Sequence, residues 1–233
     1  MEKIRVTAIT SSPNRNGNSV KLARAALSVG SKENVITEEI YLPDYKLDYC
    51  HGCMSCVRKE KCVLNDDLNY IIDLIMKSDG IIMSAPTYGL LPNAMMLNFI
   101  QRAGMYNVYR SAFRGKYIIG ISTAGGIGAK KTARFLSRFL DGLFASGLKI
   151  GILGVLIEHG IADKHLKKAR YLGEKMVNAI ENQQTYIFQG IFKKIIGFLF
   201  LKPIMVKNLK KNKDSGMRGV YQYVKANQIV RGI

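Results

Sequence analysis

Five short, almost wholly apolar runs, each followed by a stretch with helical periodicity, limit this chain to few folds. The runs span 4–10, 35–41, 80–84, 117–122 and 149–157, and the helical stretches span 19–29, 66–77, 93–103, 129–146 and 163–181. Segments such as "GIIMS", "YIIGIS" and "IGILGVL" have no polar face, which suits strands covered on both sides. Strand and helix alternating at this spacing predict an α/β fold with a doubly wound, five-stranded parallel sheet. In such sheets ligands bind outside the carboxyl ends of the strands, so the loops after the first, third and fourth runs should carry a site.

Composition adds limits. At 233 residues and 48% hydrophobic, the chain can bury a large core. The start, "MEKIRVTAIT", lacks the apolar run of a secretory signal, so a cytoplasmic location is expected. The apolar run at 195–201 is far shorter than the about 20 residues needed to span a bilayer. The net charge of +18 is uneven: from Gln184 onward ten basic residues face one acid, Asp214. This shift divides the chain into a body, 1–183, and a basic tail, 184–233. Such a tail favours an acidic partner, either anionic lipid or acidic protein; nucleic acid is not expected. Within it Ile187, Ile191, Ile195 and Phe198 form one helical stripe, with Lys193 and Lys194 near the far face and Pro203 as a stop. That amphipathic helix would pack on the body or a second subunit, or lie at a membrane surface.

The first loop, "TSSPNRNGNSVKLARAAL", is rich in Ser, Thr, Asn and Gly and runs into a helix. Free N–H groups at a helix start, with the helix dipole, make a ready anion site. Asn18 or Ser19 would cap the helix, and the hydroxyls of Ser11, Ser12 and Ser19 can bond phosphate oxygens. The loop matches neither G-x-x-x-x-G-K-[ST] nor G-x-G-x-x-G, which disfavours a nucleoside triphosphate and a Rossmann dinucleotide. In "SAPTYGLLPNAM" the residues Pro86, Thr87, Tyr88 and Gly89 make a rigid turn with one aromatic ring, and "STAGGIGAKK" is nearly bare backbone. Glycines there let a backbone approach a flat ligand.

All four cysteines, Cys50, Cys53, Cys56 and Cys62, fall within thirteen positions at the spacing C-x2-C-x2-C-x5-C. In a reducing compartment such a group reads as metal-binding or catalytic. Two-residue gaps let thiolates converge on a [4Fe–4S] cube. Structural zinc, a redox pair of Cys53 with Cys56, and cysteines holding no metal stand as alternatives. His51, His159 and His165 carry no motif and are assigned no role.

"SSPNRNGNS" resembles the pattern G-S-P-R-x-x-G-N-[ST], and "SAPTYGLLPNAM" the S-P-x-Y-x-x-x-x-P loop, of the NADPH-dependent FMN reductase group of flavodoxin-like proteins. The resemblance covers about residues 1–180. It implies FMN, with Ser12, Asn14, Asn18 and Ser19 on the phosphate, and Pro86, Thr87, Tyr88, Gly89, Thr123 and Gly125 along the ribityl chain and ring. Two positions depart: Ser11 stands where the family has Gly, and Asn14 where it commonly has Arg, leaving Arg15 as the neighbouring cation. The cysteine run before the second helix, with "NDDLNYI" after it and Asp66 and Asp67 as expected caps, is similar to the iron–sulfur flavoprotein subfamily. That similarity implies an oxidoreductase passing electrons between a [4Fe–4S] cluster and FMN. It also implies a homo-oligomer and a soluble donor such as an acidic ferredoxin or NAD(P)H. An NAD(P)H-dependent flavin or quinone reductase using FMN alone, and a non-enzymatic redox sensor or membrane-docked flavoprotein, are the alternatives.

Overall fold

The computed structural model describes residues 3–158, 160–185 and 202–230. Alternation along the first strand sets the layers. In β1 (Ile4–Thr10), Ile4, Val6 and Ala8 join a core on one face of the sheet, while Ile9 joins a core on the other. The first core is closed by α1 (Asn18–Leu27) and α6 (Asp163–Glu181), the second by α3 (Leu68–Lys77) and α4 (Ala94–Arg110). The remaining strands are β2 (Val35–Tyr41), β3 (Gly80–Tyr88), β5 (Tyr117–Ala124) and β6 (Leu148–Leu156), with α5 (Ala129–Leu136) packed on β5 and β6.

All five expected strands are present and parallel, in the order β2-β1-β3-β5-β6. This is the flavodoxin-like order, and the chain reverses its direction across the sheet between β1 and β3. A sixth strand, β4 (Leu91–Pro92), adds a two-residue antiparallel rung to the end of β3. The tight turn between them puts Gly89 at φ +55° and Leu90 at φ +66°. Both central residues at positive φ match the right-handed strand twist, and the non-glycine Leu90 costs about 1 kcal/mol to hold there.

Several boundaries differ from the sequence expectation. The helix expected over 93–103 continues to Arg110, because Asn107 and Arg110 are buried on the same face as Phe99 and Ala103. The helix expected over 129–146 stops at Leu136, capped by Ser137, whose hydroxyl donates to the Arg134 carbonyl at 2.8 Å. Pro203 lies within α7 (Lys202–Lys211). The stripe from Ile187 to Phe198 and His159 lie outside the described residues. No helix among the described residues is long and apolar enough to cross a membrane.

The end of the tail is built into the fold. α8 (Arg218–Ala226) packs on α4 and on α2 (Ser55–Arg58), the single turn that follows Cys53. Val57, Leu209, Val220, Val224 and Val230 form a third core, with Cys56 against its edge. The approach is close at Gly219, where a Cβ would stand 2.6 Å from the Lys59 carbonyl oxygen.

Candidate functional site

The loops after β1, β3 and β5 meet at one sheet edge, fastened to each other by buried polar pairs. The Ser11 hydroxyl donates to Asn93 Oδ1 at 2.6 Å, and Asn93 Nδ2 donates back to the Ser11 carbonyl at 2.7 Å. Asn93 also donates its N–H to the Pro86 carbonyl at 3.2 Å. Ser84 Oγ, from β3, donates to the Ser19 carbonyl at 2.8 Å. Ser122 Oγ donates to the Ala85 carbonyl at 2.7 Å, which makes Thr87 the donor in its 2.8 Å contact with Ser122 Oγ. Ser11 is therefore a clamp rather than a phosphate ligand, correcting the expectation for its hydroxyl.

The first loop is shaped by its own backbone. Gly17, not Asn18 or Ser19, is the residue before the first turn of α1, with φ −64° and ψ 156°. A Cβ there would lie 2.6 Å from Ser12 Oγ and 2.9 Å from the Asn14 carbonyl, so only glycine fits this close turn. Ser12 Oγ accepts the Asn14 N–H at 3.3 Å and keeps its own O–H as a donor. Asn14 Oδ1 accepts the Asn16 N–H at 2.9 Å, which leaves its amide N–H₂ to donate. Asn18 and Ser19 occupy the first two helical positions, where backbone N–H groups have no partner within the helix. Arg15 does not stand in for the family's arginine. Its guanidinium pairs with Asp44 and lies 4.3 Å from the centre of the Tyr41 ring.

The facing loops offer little side chain. Tyr88 is exposed and Thr123 is buried. Nothing lies within 4 Å of where a Cβ on Gly125 or Gly126 would stand, so packing does not demand glycine at either position. A helix start with unpaired N–H groups and small hydroxyl or amide donors, opposite bare backbone, fits the phosphate and ring of FMN.

The cysteine loop hangs from α4. Asn98 Nδ2 donates to the carbonyls of Leu47 and Asp48, both at 3.2 Å, and Arg102 Nη1 donates to Asp48 at 2.7 Å. Arg102 forms a buried two-pronged pair with Asp66, and its second nitrogen donates to Cys62 Sγ at 3.3 Å. Burial alone would raise the Asp66 carboxyl, but hydrogen bonds from Arg102 and from the Asp48 and Leu68 N–H groups hold it below the usual range. Asp66 thus serves Arg102 and also accepts the Leu68 N–H at the start of α3 at 3.2 Å, as expected of a cap, whereas Asp67, at the cap position, accepts the Lys46 N–H at 2.7 Å. At the last residue of α4, two turns beyond Arg102, Arg110 reaches the carbonyls of Cys56 and Lys59, both at 2.6 Å. Asn69 brackets Cys62 from α3, accepting its N–H at 3.0 Å and donating to its carbonyl at 2.9 Å.

All four thiols are free. Cys50 and Cys53 are exposed, and Cys56 and Cys62 are half-buried. The Gly52 N–H donates to Cys50 Sγ at 3.5 Å, and Gly52 and Met54 turn the loop through positive φ. A hydrogen bond from Ser55 pulls the Cys53 thiol down, whereas burial pushes Cys56 up against the opposing pull of Arg110. Among the described residues no three Cys, His, Asp or Glu side chains converge on one point. By chemistry the donor set still fits an iron–sulfur group: four free, soft thiols above two buried guanidiniums, with N–H donors already aimed at sulfur.

Sequence reasoning missed Asn93, Arg102 and Arg110. The signal was available in α4, where Phe99, Arg102, Ala103, Tyr106 and Arg110 recur at helical spacing, so two arginines share an apolar stripe.

Residues 4–150 match the family model described as NADPH-dependent FMN reductase. An iron–sulfur flavoprotein of Archaeoglobus fulgidus is 33% identical over 183 residues, 77% of this chain and 82% of that protein. Another from Clostridioides difficile is 28% identical, over 89% of this chain and 94% of that protein. Among solved structures, a WrbA-like flavodoxin protein of Agrobacterium tumefaciens superposes with a TM-score of 0.51 at 15% identity, over 78% of this chain and all of that one. With this fold, these loops and this likeness, the chain belongs to the NADPH-dependent FMN reductase family, within it to the iron–sulfur flavoproteins, and is an FMN-dependent oxidoreductase.

Proposed function

We propose that this oxidoreductase passes electrons between an iron–sulfur cluster held by Cys50, Cys53, Cys56 and Cys62 and an FMN held at the carboxyl edge of the sheet. When bound, the cluster would supply one-electron exchange, and the flavin would supply both one- and two-electron chemistry. The observation that carries the reading is α4, which serves both places. Its cap, Asn93, clamps the first flavin loop, while Asn98 and Arg102 hold the entry to the cysteine loop. Five and nine residues of helix separate them, about 8 and 14 Å at 1.5 Å per residue. One rigid element therefore keeps the two places at a constant, short separation.

The chain's own groups divide the work. Ser12, Asn14, Asn18 and Ser19, with the N–H groups of the first turn of α1, hold the phosphate. Pro86, Thr87, Tyr88, Gly89, Thr123 and Gly125 border the ribityl chain and ring, and Tyr88 supplies aromatic cover. Cys50 and Cys53 lie at the surface, where Arg58 donates to the Cys53 carbonyl at 2.9 Å and Lys59 and Lys61 follow in the same loop. That surface suits an acidic one-electron donor, with docking that weakens as salt rises. Isolation without oxygen, with iron, sulfide and flavin counted per chain, tests the proposal. About four irons and one FMN per chain are expected; flavin without iron would leave a flavin reductase and sink the cluster half.

A further inference from the structure

Arg110 is fully buried and is the largest such side chain among the described residues. Its guanidinium donates to the carbonyls of Cys56 and Lys59, and more weakly to Tyr106 at 3.4 Å. The rings of Tyr106 and Tyr223 lie 4.9 and 5.9 Å from its central carbon. Its Nε is buried with no acceptor. Among the described residues no carboxylate lies within 4.0 Å of it, whereas Arg102 has Asp66. Carbonyls and ring faces solvate a cation but do not neutralise it. A buried charge without a counter-ion is costly, and chains keep one where a missing anion completes it.

The anion is identified by position. Arg110 fixes the backbone at Cys56 within α2 and at Lys59 just after it; of the neighbouring groups able to become negative, Glu60 keeps its carboxylate beyond 4.0 Å, and the Cys56 thiol stands on the residue that Arg110 holds. We infer that Arg110 is the counter-charge for the thiolates of the cysteine loop, so that the loop gains its full binding strength for a metal–sulfur group through this one buried cation. Rather than touching the metal, Arg110 positions the loop through two carbonyls and biases its charge. This inference rests on the proposed cluster. A cluster with four thiolates is anionic and gains one more negative charge with each electron, so a fixed cation behind it favours loading and favours the reduced state. Arg102, whose charge is already matched by Asp66, contributes a hydrogen bond to Cys62 Sγ but little net field.

The test uses the full chain, loaded anaerobically with ferrous iron and sulfide, as wild type, Arg110→Met and Arg110→Lys. Iron and sulfide per chain, the cluster midpoint potential and FMN per chain are measured, the last as a check on folding. Arg110→Met should weaken metal uptake by about tenfold, the size seen when a group behind a ligand is removed, and should shift the potential negative. Arg110→Lys, which keeps the charge but not the forked bonds, should hold the potential near wild type. A third variant, Tyr106→Glu, offers the guanidinium a competing carboxylate and leaves its bonds to Cys56 and Lys59 in place; it should move the potential the same way as Met. It also decides the matter if Arg110→Met loses FMN and with it the fold. Equal damage from Met and Lys, or an unchanged potential in Tyr106→Glu, would make Arg110 a mere fastener and overturn the inference. A wild-type chain that takes up no iron would overturn the cluster reading before the variants are compared.

Discussion

Asn93 and Ser11 exchange two buried hydrogen bonds, 2.6 and 2.7 Å long, across 82 residues of chain. The position where the family carries glycine thus became a latch between the first flavin loop and the start of α4. Because α4 also carries the cysteine loop, this latch ties the first flavin loop to the helix from which the cysteine loop hangs.

Asn93→Leu keeps the size of the side chain and leaves the Ser11 hydroxyl and carbonyl without partners. Stability should fall by about 2–4 kcal/mol, from two unsatisfied buried groups. FMN affinity should fall by about tenfold or more, as about 1.4 kcal/mol of loop misplacement would produce. Urea unfolding and flavin titration measure the two effects, and unchanged FMN affinity would separate the latch from the site.

Gly17→Ala pushes a methyl group to within 2.6 Å of Ser12 Oγ, so the phosphate loop must shift. FMN should be lost or bound at least about tenfold more weakly while the sheet unfolds at nearly its normal denaturant concentration. Asn18→Leu should act in the same direction. Retention of one FMN per chain by the double variant would argue against this loop as the phosphate site.

Cys56→Ser removes one half-buried thiolate from the four. Iron should drop to a small fraction of the wild-type amount, since a cube held by three thiolates is labile, and FMN should remain because its loops leave other strands. Donor-linked reduction should slow, while dithionite still bleaches the flavin. Unchanged iron and colour after anaerobic isolation would mean that the cysteines serve another purpose.

Asp66 and Arg102 are both buried, and the carboxyl is held below its usual pKa of about 3.9. Its stabilisation is therefore complete above about pH 4 and is lost as pH falls through the lower, folded value. Asp66→Asn should cost about 3–5 kcal/mol at neutral pH by stranding Arg102. The variant should also flatten the acid limb of a stability-against-pH curve. A variant with the wild-type acid limb would assign that limb to other carboxylates.

Ending the chain after Gln184 removes α7 and α8 and uncovers Val57 and Cys56 on α2. The flavin loops lie elsewhere, so FMN binding should persist. Iron retention should fall, and the exposed apolar face should raise the apparent mass in light scattering. Loss of flavin would show that the tail reaches a pocket, its own or a neighbouring subunit's.

The parallel sheet was legible in the sequence because unbroken apolar runs have few other uses, and β1 and β2 lie where the pattern predicts. The loops were legible because glycine, small hydroxyls and helix starts act through backbone geometry, which neighbours in sequence largely determine. What could not be read were partnerships over long separations. Nothing local says that Ser11 meets Asn93, that Asp66 pairs with Arg102, or that Arg110 holds the Cys56 carbonyl. Each depends on where α4 ends and what covers it, and those follow from burial of surfaces far apart in the chain. The tail is the clearest case. Its composition describes a basic, amphipathic extension, and only tertiary packing, through Gly219 against Lys59 and Val220 and Val224 against Val57, makes its last helix the cover of the cysteine loop. Local chemistry selects the kinds of site a chain can build; packing decides which charges are buried beside them and so what those sites favour.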